Sequence, residues 1–262
     1  MAEPPAPAAD SYRHLVPSPC FVLEEEVLEE NLRLLHRVEQ ESGGRILLAL
    51  KAFAMFSAFG LVGRYLSGAA ASGLHEARLA REELGLEVHT FSPAIKEQEF
   101  DELARLSDHL IFNSFAQWQR FRDRAANRSG TSYGIRVNPE HSEVATPLYD
   151  PCAPGSRLGV TRDRFRSDLL RGISGLHFHT LCELGFPPLE RTVRVFENKF
   201  GEFLPRMKWI NFGGGHHITR KGYDIAGLIR LVREFRRRHG LEVFLEPGEA
   251  VSWQAGTLVG EV

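Results

Sequence analysis

The sequence contains few cysteines, and those it has are not arranged in pairs. Its 262 residues include three, Cys20, Cys152 and Cys182, which lie far apart along the chain. They match neither a disulfide framework nor the Cys-x-x-Cys spacing of zinc sites. We therefore expect a reduced protein in the cytoplasm.

Neither sign of charge is in excess. The chain has 32 basic and 34 acidic residues, a formal net charge of −2, and one local arginine cluster between Arg233 and Arg238. Nucleic-acid-binding domains usually carry a basic face. The charge balance therefore predicts no nucleic-acid partner.

Long apolar segments are also missing. The N-terminus lacks the basic start and apolar core of a signal peptide, and residues 1–18 are expected to form a disordered tail. Only Ile46 to Gly63 is apolar enough to raise the question of a membrane span. Lys51 within it would cost about 2.5–3.5 kcal/mol at the bilayer centre, so we expect no membrane association.

The chain does show a regular alternation of strand-like and helix-like segments. A hydrophobic content of 43% suits one large domain with a sizeable core. Amphipathic helices fill most of the gaps between eight predicted strands. This alternation is typical of a (β/α)8 barrel and also of a doubly wound open sheet. The strands are predicted at 45–50, 68–71, 87–91, 109–112, 132–137, 172–178, 209–212 and 242–245.

The positions of the reactive residues favour the barrel. In such barrels the chemistry gathers at the carboxyl ends of the strands, often with a phosphate held after strands seven and eight. Lys51 follows the first strand, Ser72 the second and His179 the sixth, while glycines 213–215 follow the seventh and Glu246 the eighth. Side chains placed in this way would meet at one end of a closed barrel.

Lys51 is a candidate for Schiff-base formation. It ends the apolar segment Ile46 to Leu50 and precedes a second apolar stretch, so its ammonium is predicted to lie in an apolar setting. Desolvation favours the neutral amine that attacks an aldehyde. A lone lysine in this position could instead extend from a strand end to solvent.

Two further elements suggest a pyridoxal-phosphate site. Gly213 to Gly215 directly after a strand offer backbone N–H groups that can hold a phosphate, although a triple glycine is also found in flexible turns. Glu246 precedes Pro247 and Gly248, and a carboxylate facing a pyridine nitrogen keeps it protonated. The alternative for Glu246 is a helix cap or a salt bridge.

A metal site is the competing interpretation. His177 and His179 share one strand face, as the metal-binding histidines of barrel hydrolases do. The sequence places no carboxylate or third imidazole at an obvious strand end to complete such a site, so we predict no metal. His179 is interpreted as a ring that stacks on a planar cofactor, with a buried structural histidine as the alternative.

Five motifs resemble one decarboxylase family, over roughly Pro19 to the end of the chain. The chain is similar to the carboxynorspermidine/carboxyspermidine decarboxylases within the alanine racemase and ornithine decarboxylase class. The motifs are Ala49-Leu50-Lys51-Ala52, Gly155 to Gly159, Leu176 to Glu183, Asn211 to Thr219 and Leu245 to Ala250.

The resemblance implies a pyridoxal-phosphate barrel of the alanine racemase type and a role for each matching residue. Lys51 would bind pyridoxal phosphate as a Schiff base, His179 would stack on its ring and Glu246 would meet its pyridine nitrogen. Gly213, Gly214, Gly215 and Gly248 would bind the phosphate, with Ser72 nearby. Arg157, Glu183 and Glu249 would contact the carboxy-polyamine substrate, with Glu249 replacing an arginine that related decarboxylases carry.

The resemblance also predicts a domain organisation. The barrel is expected at 19–249, and residues 250–262 would begin a C-terminal β-domain, with strands at 250–254 and 257–262, that this chain does not complete. Members of this class form homodimers whose partner subunit completes the active site, which puts catalysis by this polypeptide alone in question. The alternative function is a barrel that holds pyridoxal phosphate without turnover.

Overall fold

Eight parallel strands close into a barrel in the computed structural model, which describes residues 14–261. Each strand pairs with the next along the chain, and the last pairs with the first through Arg45 and Phe244. The predicted barrel is therefore confirmed, and the open sheet is excluded. The barrel strands are β2 (Arg45–Ala49), β3 (Gly68–Ala71), β4 (Glu87–Phe91), β5 (His109–Phe112), β6 (Ser132–Arg136), β7 (Gly175–His177), β8 (Trp209–Asn211) and β9 (Glu242–Leu245).

Helices cover the outside of the barrel and present one apolar face to it. Gly240, in the left-handed conformation at φ 68°, ends the last helix. The helices are α1 (Glu25–Ser42), α2 (Phe59–Val62), α3 (Leu74–Leu79), α4 (Phe100–Leu106), α5 (Phe115–Ala126), α6 (Phe186–Phe200) and α7 (Ile225–His239). A π-helical turn, Ala80–Leu84, continues α3, and 3-10 turns lie at Phe56–Ala58, Pro147–Tyr149, Arg162–Arg164, Ser167–Leu169 and Gly201–Arg206.

Trp209 fills the interior of the barrel. It is 1% exposed and packs in a small cluster with Leu47, Ile111 and Phe244. A Cβ atom on Gly175 of the neighbouring strand would overlap the Trp209 ring, so that strand position has room for glycine alone. The interior is thus filled by one large side chain opposite a position without a side chain.

The two ends of the described chain meet outside the barrel. β1 (Cys20–Leu23) pairs in antiparallel fashion with β10 (Gly256–Val259). The strand predicted at 250–254 is wrong, because backbone hydrogen bonds from Val251 to Gly248 and from Ala255 to Ser252 close turns there. Of the tail predicted at 1–18, residues 1–13 lie outside the described part, and the boundaries predicted for the domains stay predictions.

Within residues 14–261, none of the helices combines the length and the apolar character needed to cross a bilayer.

Candidate active site

A cavity of about 240 Å³ opens at the carboxyl ends of the barrel strands. Its walls contain alanines of β2 and β3, which leave the space free, and side chains that end or follow six strands. Five residues that the sequence singled out, His177 among them, meet in this one cavity. The polar side chains of the wall are Lys51, Ser72, Arg136, His177, His179 and Glu246.

Lys51 lies at the mouth of the cavity. β2 ends at Ala49, and the chain turns at Leu50 and Lys51, so the lysine has left the buried strand. Its side chain is exposed, and the apolar setting predicted for its ammonium is therefore wrong. Its place in the cavity wall still makes it accessible to a ligand there.

Glu246 is the carboxylate at the bottom of the site, with an 11% exposed side chain. Asn211 Nδ2 donates a hydrogen bond of 2.7 Å to Glu246 Oε1. Burial alone would raise the pKa of this carboxyl, but its neighbouring imidazoles, His177 first and then His179 and His89, outweigh burial and lower the pKa to about 2. Glu246 is therefore ionised at neutral pH.

His177 is a buried histidine, and neither of its ring nitrogens has a hydrogen-bond partner within residues 14–261. Its Nε2 lies 3.6 Å from Glu246 Oε2, too far for a hydrogen bond. Burial lowers the pKa of His177, so the ring is neutral at neutral pH. An unpartnered imidazole aimed at this cavity is a polar group that a bound ligand would satisfy.

The expectation that no carboxylate joins His177 and His179 is wrong. One ligand atom each from His177, His179 and Glu246 lies within 4.8 Å of the others, so a carboxylate does join the two histidines. The sequence missed this because Glu246 comes from β9, two strands away from β7. Two cations, Lys51 and Arg136, line the same cavity and lower the pKa of His179, which makes the site electrostatically poor for a metal ion.

His179 is held in one orientation. Its Nδ1 accepts a hydrogen bond of 3.2 Å from the Gly214 backbone N–H, and its carbonyl oxygen accepts one of 3.1 Å from Arg136 Nη2. Burial, with the nearby charges of Lys51 and Arg136, places its pKa well below the usual value. His179 is thus a neutral ring fixed in the cavity wall, as a stacking residue has to be.

The triple glycine is required by packing. A Cβ atom on Gly213 would lie 2.6 Å from the Phe178 carbonyl oxygen, and Cβ atoms on Gly214 and Gly215 would overlap the carbonyls of Glu246 and Leu181. The N–H of Gly213 donates to Asn211 Oδ1 at 2.8 Å, and that of Gly214 donates to His179. These two amides are therefore already used by side chains.

Two other amides remain for an anion. In residues 14–261, the backbone N–H groups of Gly215 and Gly248 donate to no protein acceptor. They follow β8 and β9, which are paired neighbours. Unpartnered N–H groups at adjacent strand ends are suited to a phosphate, so the residues present fit pyridoxal phosphate.

Arg136 is the cavity residue that the sequence analysis missed. It ends β6, is 5% exposed and stacks its guanidinium 4.7 Å from the Phe91 ring centroid. Burial lowers its pKa to about 10, which leaves it charged at neutral pH. Among the described residues it forms no salt bridge with a carboxylate. Its signal in the sequence is an arginine inside the apolar strand segment Tyr133 to Val137.

The three residues predicted to contact substrate lie outside the cavity wall. Glu249 is about half exposed, and His217 Nε2 holds its Oε2 at 2.8 Å. Glu183 adopts a left-handed backbone at φ 57°. Arg157 is exposed, and its backbone carbonyl accepts a hydrogen bond of 2.8 Å from Asn113 Nδ2, while the next residue, Leu158, lines the cavity instead.

Comparison with known proteins identifies the relatives of this barrel. No protein-family model matches the chain. It is 48% identical over 247 residues to the carboxynorspermidine/carboxyspermidine decarboxylase of Campylobacter jejuni, and the match covers 94% of this chain and 64% of that protein. Over its barrel, this chain is a homologue of the carboxynorspermidine/carboxyspermidine decarboxylases. The chain thus spans about 64% of the length of this relative.

A second relative and a crystal structure agree with this homology. The carboxyaminopropylagmatine decarboxylase of Synechocystis is 45% identical over 248 residues, covering 94% of this chain and 64% of the relative. The crystal structure of the Campylobacter jejuni carboxynorspermidine decarboxylase with norspermidine is 46% identical, with a TM-score of 0.84 over 93% of this chain and 63% of that one. Both are decarboxylases of similar, carboxylated amines by name.

More distant structures show the fold alone. The diaminopimelate decarboxylase of Helicobacter pylori matches with a TM-score of 0.78 at 16% identity, covering 95% of this chain and 68% of that one. A decarboxylase solved with pyridoxal phosphate matches with a TM-score of 0.73 at 17% identity, covering 95% and 66%. The barrel is therefore of the type that these decarboxylases share.

Proposed function

We propose that this chain forms the cofactor-binding part of a pyridoxal-phosphate-dependent carboxy-lyase. Its reaction would be the decarboxylation of carboxynorspermidine or carboxyspermidine to norspermidine or spermidine, a step of polyamine biosynthesis. The observation that carries the proposal is the 48% identity to such a decarboxylase across the barrel whose cavity gathers Lys51, His179 and Glu246.

Each part of the cofactor has a matching residue. Lys51 would hold it covalently, Glu246 would face the pyridine nitrogen, and the free amides of Gly215 and Gly248 would hold the phosphate. Ser72 lines the wall beside Lys51. Pyridoxal phosphate, when bound, supplies an electron sink for the pair of electrons that the departing carboxylate leaves behind.

The protein's contribution is electrostatic and geometric. Glu246 stays ionised because Asn211 donates to it and histidines surround it, and an ionised carboxylate keeps a proton on a pyridine nitrogen. His179 is locked by Gly214 and Arg136, so one face of the cavity is a flat, neutral ring. A substrate held in one orientation against that face would have a lower activation barrier, because binding has already removed its translational and rotational freedom.

Substrate recognition is proposed outside the cavity wall. Polyamine chains carry ammonium groups, and Glu249 and Glu183 are carboxylates that could bind them, with Glu249 held by His217. The names of the relatives differ in their amine, so the preferred substrate is a point to test. We retain Arg157 as a candidate for the substrate carboxylate, and a homodimer and a cytoplasmic location as further predictions.

The alternative is a barrel that holds pyridoxal phosphate without turnover. Both functions predict covalent capture of the cofactor at Lys51 by borohydride. The 48% identity to a protein named as a decarboxylase favours catalysis.

Carbon dioxide release separates the two functions. The chain, alone and mixed with the part of the Campylobacter jejuni relative outside the match, should be incubated with pyridoxal phosphate and either carboxynorspermidine, carboxyspermidine or carboxyaminopropylagmatine. Release from one of the first two supports the proposal. Cofactor capture without release from any substrate in either mixture would reject it in favour of the carrier.

A further inference from the structure

A second cluster of ionisable side chains lies at the other end of the barrel. Glu87 and His89 alternate along β4 and therefore share a face, and His109 of β5 is the direct cross-strand partner of His89. Glu87 and His109 are the first residues of their strands, so the cluster lies at the amino ends. The proposed cofactor cavity opens at the carboxyl ends.

The three side chains converge on one point. Glu87 Oε1 lies 2.8 Å from His89 Nε2 and 3.1 Å from His109 Nδ1, and one ligand atom of each residue lies within 4.8 Å of those of the other two. Zinc bonds of about 2.0–2.2 Å place neighbouring ligand atoms roughly 3.3–3.6 Å apart. Seating an ion would therefore move Glu87 Oε1 about 0.5–0.8 Å away from His89 Nε2 and about 0.2–0.5 Å away from His109 Nδ1.

His89 Nε2 and Glu87 Oε1 already form a hydrogen bond of 2.8 Å, which an ion would replace, and this bond leaves His109 without a partner in the cluster. His109 Nδ1 is buried beside the carboxylate, yet its geometry gives it no hydrogen-bond partner among the described residues. A buried imidazole nitrogen without a partner has a cost that a bound ion would remove. Because His109 Nδ1 lies beside Glu87 Oε1, an ion bound to this nitrogen would also contact the carboxylate.

The surroundings suit a bound ion. The side chain of His89 is 0% exposed, and those of His109 and Glu87 are 12% and 14% exposed, so the cluster is shielded but has a route to solvent. The His109 ring packs edge-on against Trp209 at 4.9 Å, which fixes its orientation. Arg45 pairs with the other carboxylate oxygen of Glu87, Oε2, and would orient it as outer contacts of metal-bound carboxylates do.

We propose that Glu87, His89 and His109 bind one divalent transition-metal ion of the zinc type. Two imidazoles and a carboxylate are the ligand set of open zinc sites, and imidazole favours zinc, cobalt and nickel over calcium or magnesium. The ion would clamp β4 to β5 at the base of the barrel. This site does not depend on the decarboxylase activity.

Titration of the tag-free, metal-depleted protein with Co²⁺ and Zn²⁺ tests the site. Calorimetry should give one ion per chain, the visible spectrum of the Co²⁺ complex should show nitrogen and oxygen ligation, and Zn²⁺ should raise the unfolding temperature. His109→Gln and Glu87→Gln should each weaken binding at least tenfold. The matched control is His75→Gln, which changes an exposed histidine and should leave affinity unchanged.

The cluster in the cofactor cavity is the competing location. His177→Gln removes one of its ligands and should leave the affinity for Co²⁺ as in the wild type. The proposal is overturned if the wild-type protein takes up no stoichiometric ion, or if His177→Gln abolishes binding that His109→Gln and Glu87→Gln retain. If one of the two test variants does not fold by circular dichroism, the other decides.

Discussion

Asn211 joins the glycine loop to the carboxylate of Glu246. Its Nδ2 donates to Glu246 Oε1 at 2.7 Å, and its Oδ1 accepts the Gly213 N–H at 2.8 Å. The side chain is fully buried at the end of β8, so no water competes for it. Two functions proposed for the site, the pyridine contact and the packing of the phosphate loop, thus depend on one amide.

Asn211→Asp should therefore weaken retention of pyridoxal phosphate. A second carboxylate at this distance cannot ionise together with Glu246, and the pair will share a proton. Each unit by which the pKa of Glu246 rises corresponds to about a tenfold change in the balance between its ionised and protonated forms. We therefore expect pyridoxal phosphate to be retained about tenfold more weakly, or less still. Dialysis followed by cofactor absorbance measures this. The exposed Asn127→Asp is the control, and equal retention in both variants would contradict the role of Asn211.

Lys51→Ala should abolish covalent capture of the cofactor. Borohydride reduction in the presence of pyridoxal phosphate should label the wild-type peptide that contains Lys51, because this amine lines the cavity. Lys96→Ala removes another lysine, one with a 67% exposed side chain, and should leave the labelling unchanged. Peptide mass spectrometry reads the result. Labelling of Lys51→Ala at the wild-type level would reject Lys51 as the attachment site.

Gly214→Ala should destabilise the fold, because its Cβ would overlap the carbonyl of Glu246. Overpacking of this kind costs about 1–3 kcal/mol, and here both contacts are backbone atoms that cannot rotate away. Gly60→Ala is the matched control, since its Cβ meets nothing within 4 Å and the residue lies in a helix. Urea unfolding should show the control at or above wild-type stability. Equal stability of the two variants would contradict the packing argument.

Arg136→Met should separate stability from ligand binding. Arg136 is a buried cation without a carboxylate partner in the described chain, and burial of an unpaired charge costs several kcal/mol. We expect a free energy of unfolding at least equal to that of the wild type, with weaker retention of the anionic cofactor. Arg120→Met changes an exposed arginine and should leave retention unchanged. A large loss of stability in Arg136→Met would show that its role is structural.

The sequence was sufficient for the barrel because its signals are local. Strands such as Glu87–Phe91 and His109–Phe112 were placed to the residue, since apolar runs and turn residues bound them. The positions of Lys51 and Glu246 at the carboxyl ends of strands then favoured a closed barrel over an open sheet. The exposure of Lys51 could not be predicted in the same way. The chain changes from buried at Ala49, the last residue of the strand, to exposed at Lys51, two residues later.

The contacts within the site depend on distant parts of the chain. Arg136 enters the cavity from β6 and meets Phe91 of β4, and nothing local to either residue indicates the pairing. The triple glycine was interpreted through its amides, but two of these are used by Asn211 and His179. Only the folded arrangement shows which N–H groups remain for a ligand.

Stability should fall between about pH 6.5 and pH 4 because of His216. Burial lowers the pKa of His216 from 6.5 to about 4. In this window the unfolded chain binds a proton that the folded ring does not, so the free energy of unfolding rises with pH and the contribution is complete above pH 6.5. A shift of this size corresponds to roughly 3 kcal/mol. His216 Nδ1 lies 2.7 Å from the Tyr223 hydroxyl, which keeps the ring in place.

His216→Asn is the test of this linkage. Urea unfolding of the variant between pH 4 and pH 7 should show a lower stability at pH 7 and a smaller slope with pH than the wild type. Other buried histidines, such as His89 with a pKa lowered to about 4, will keep part of the slope. His75→Asn changes an exposed histidine and should reproduce the wild-type slope. An unchanged slope in His216→Asn would mean that the folded ring binds its proton as easily as the unfolded one.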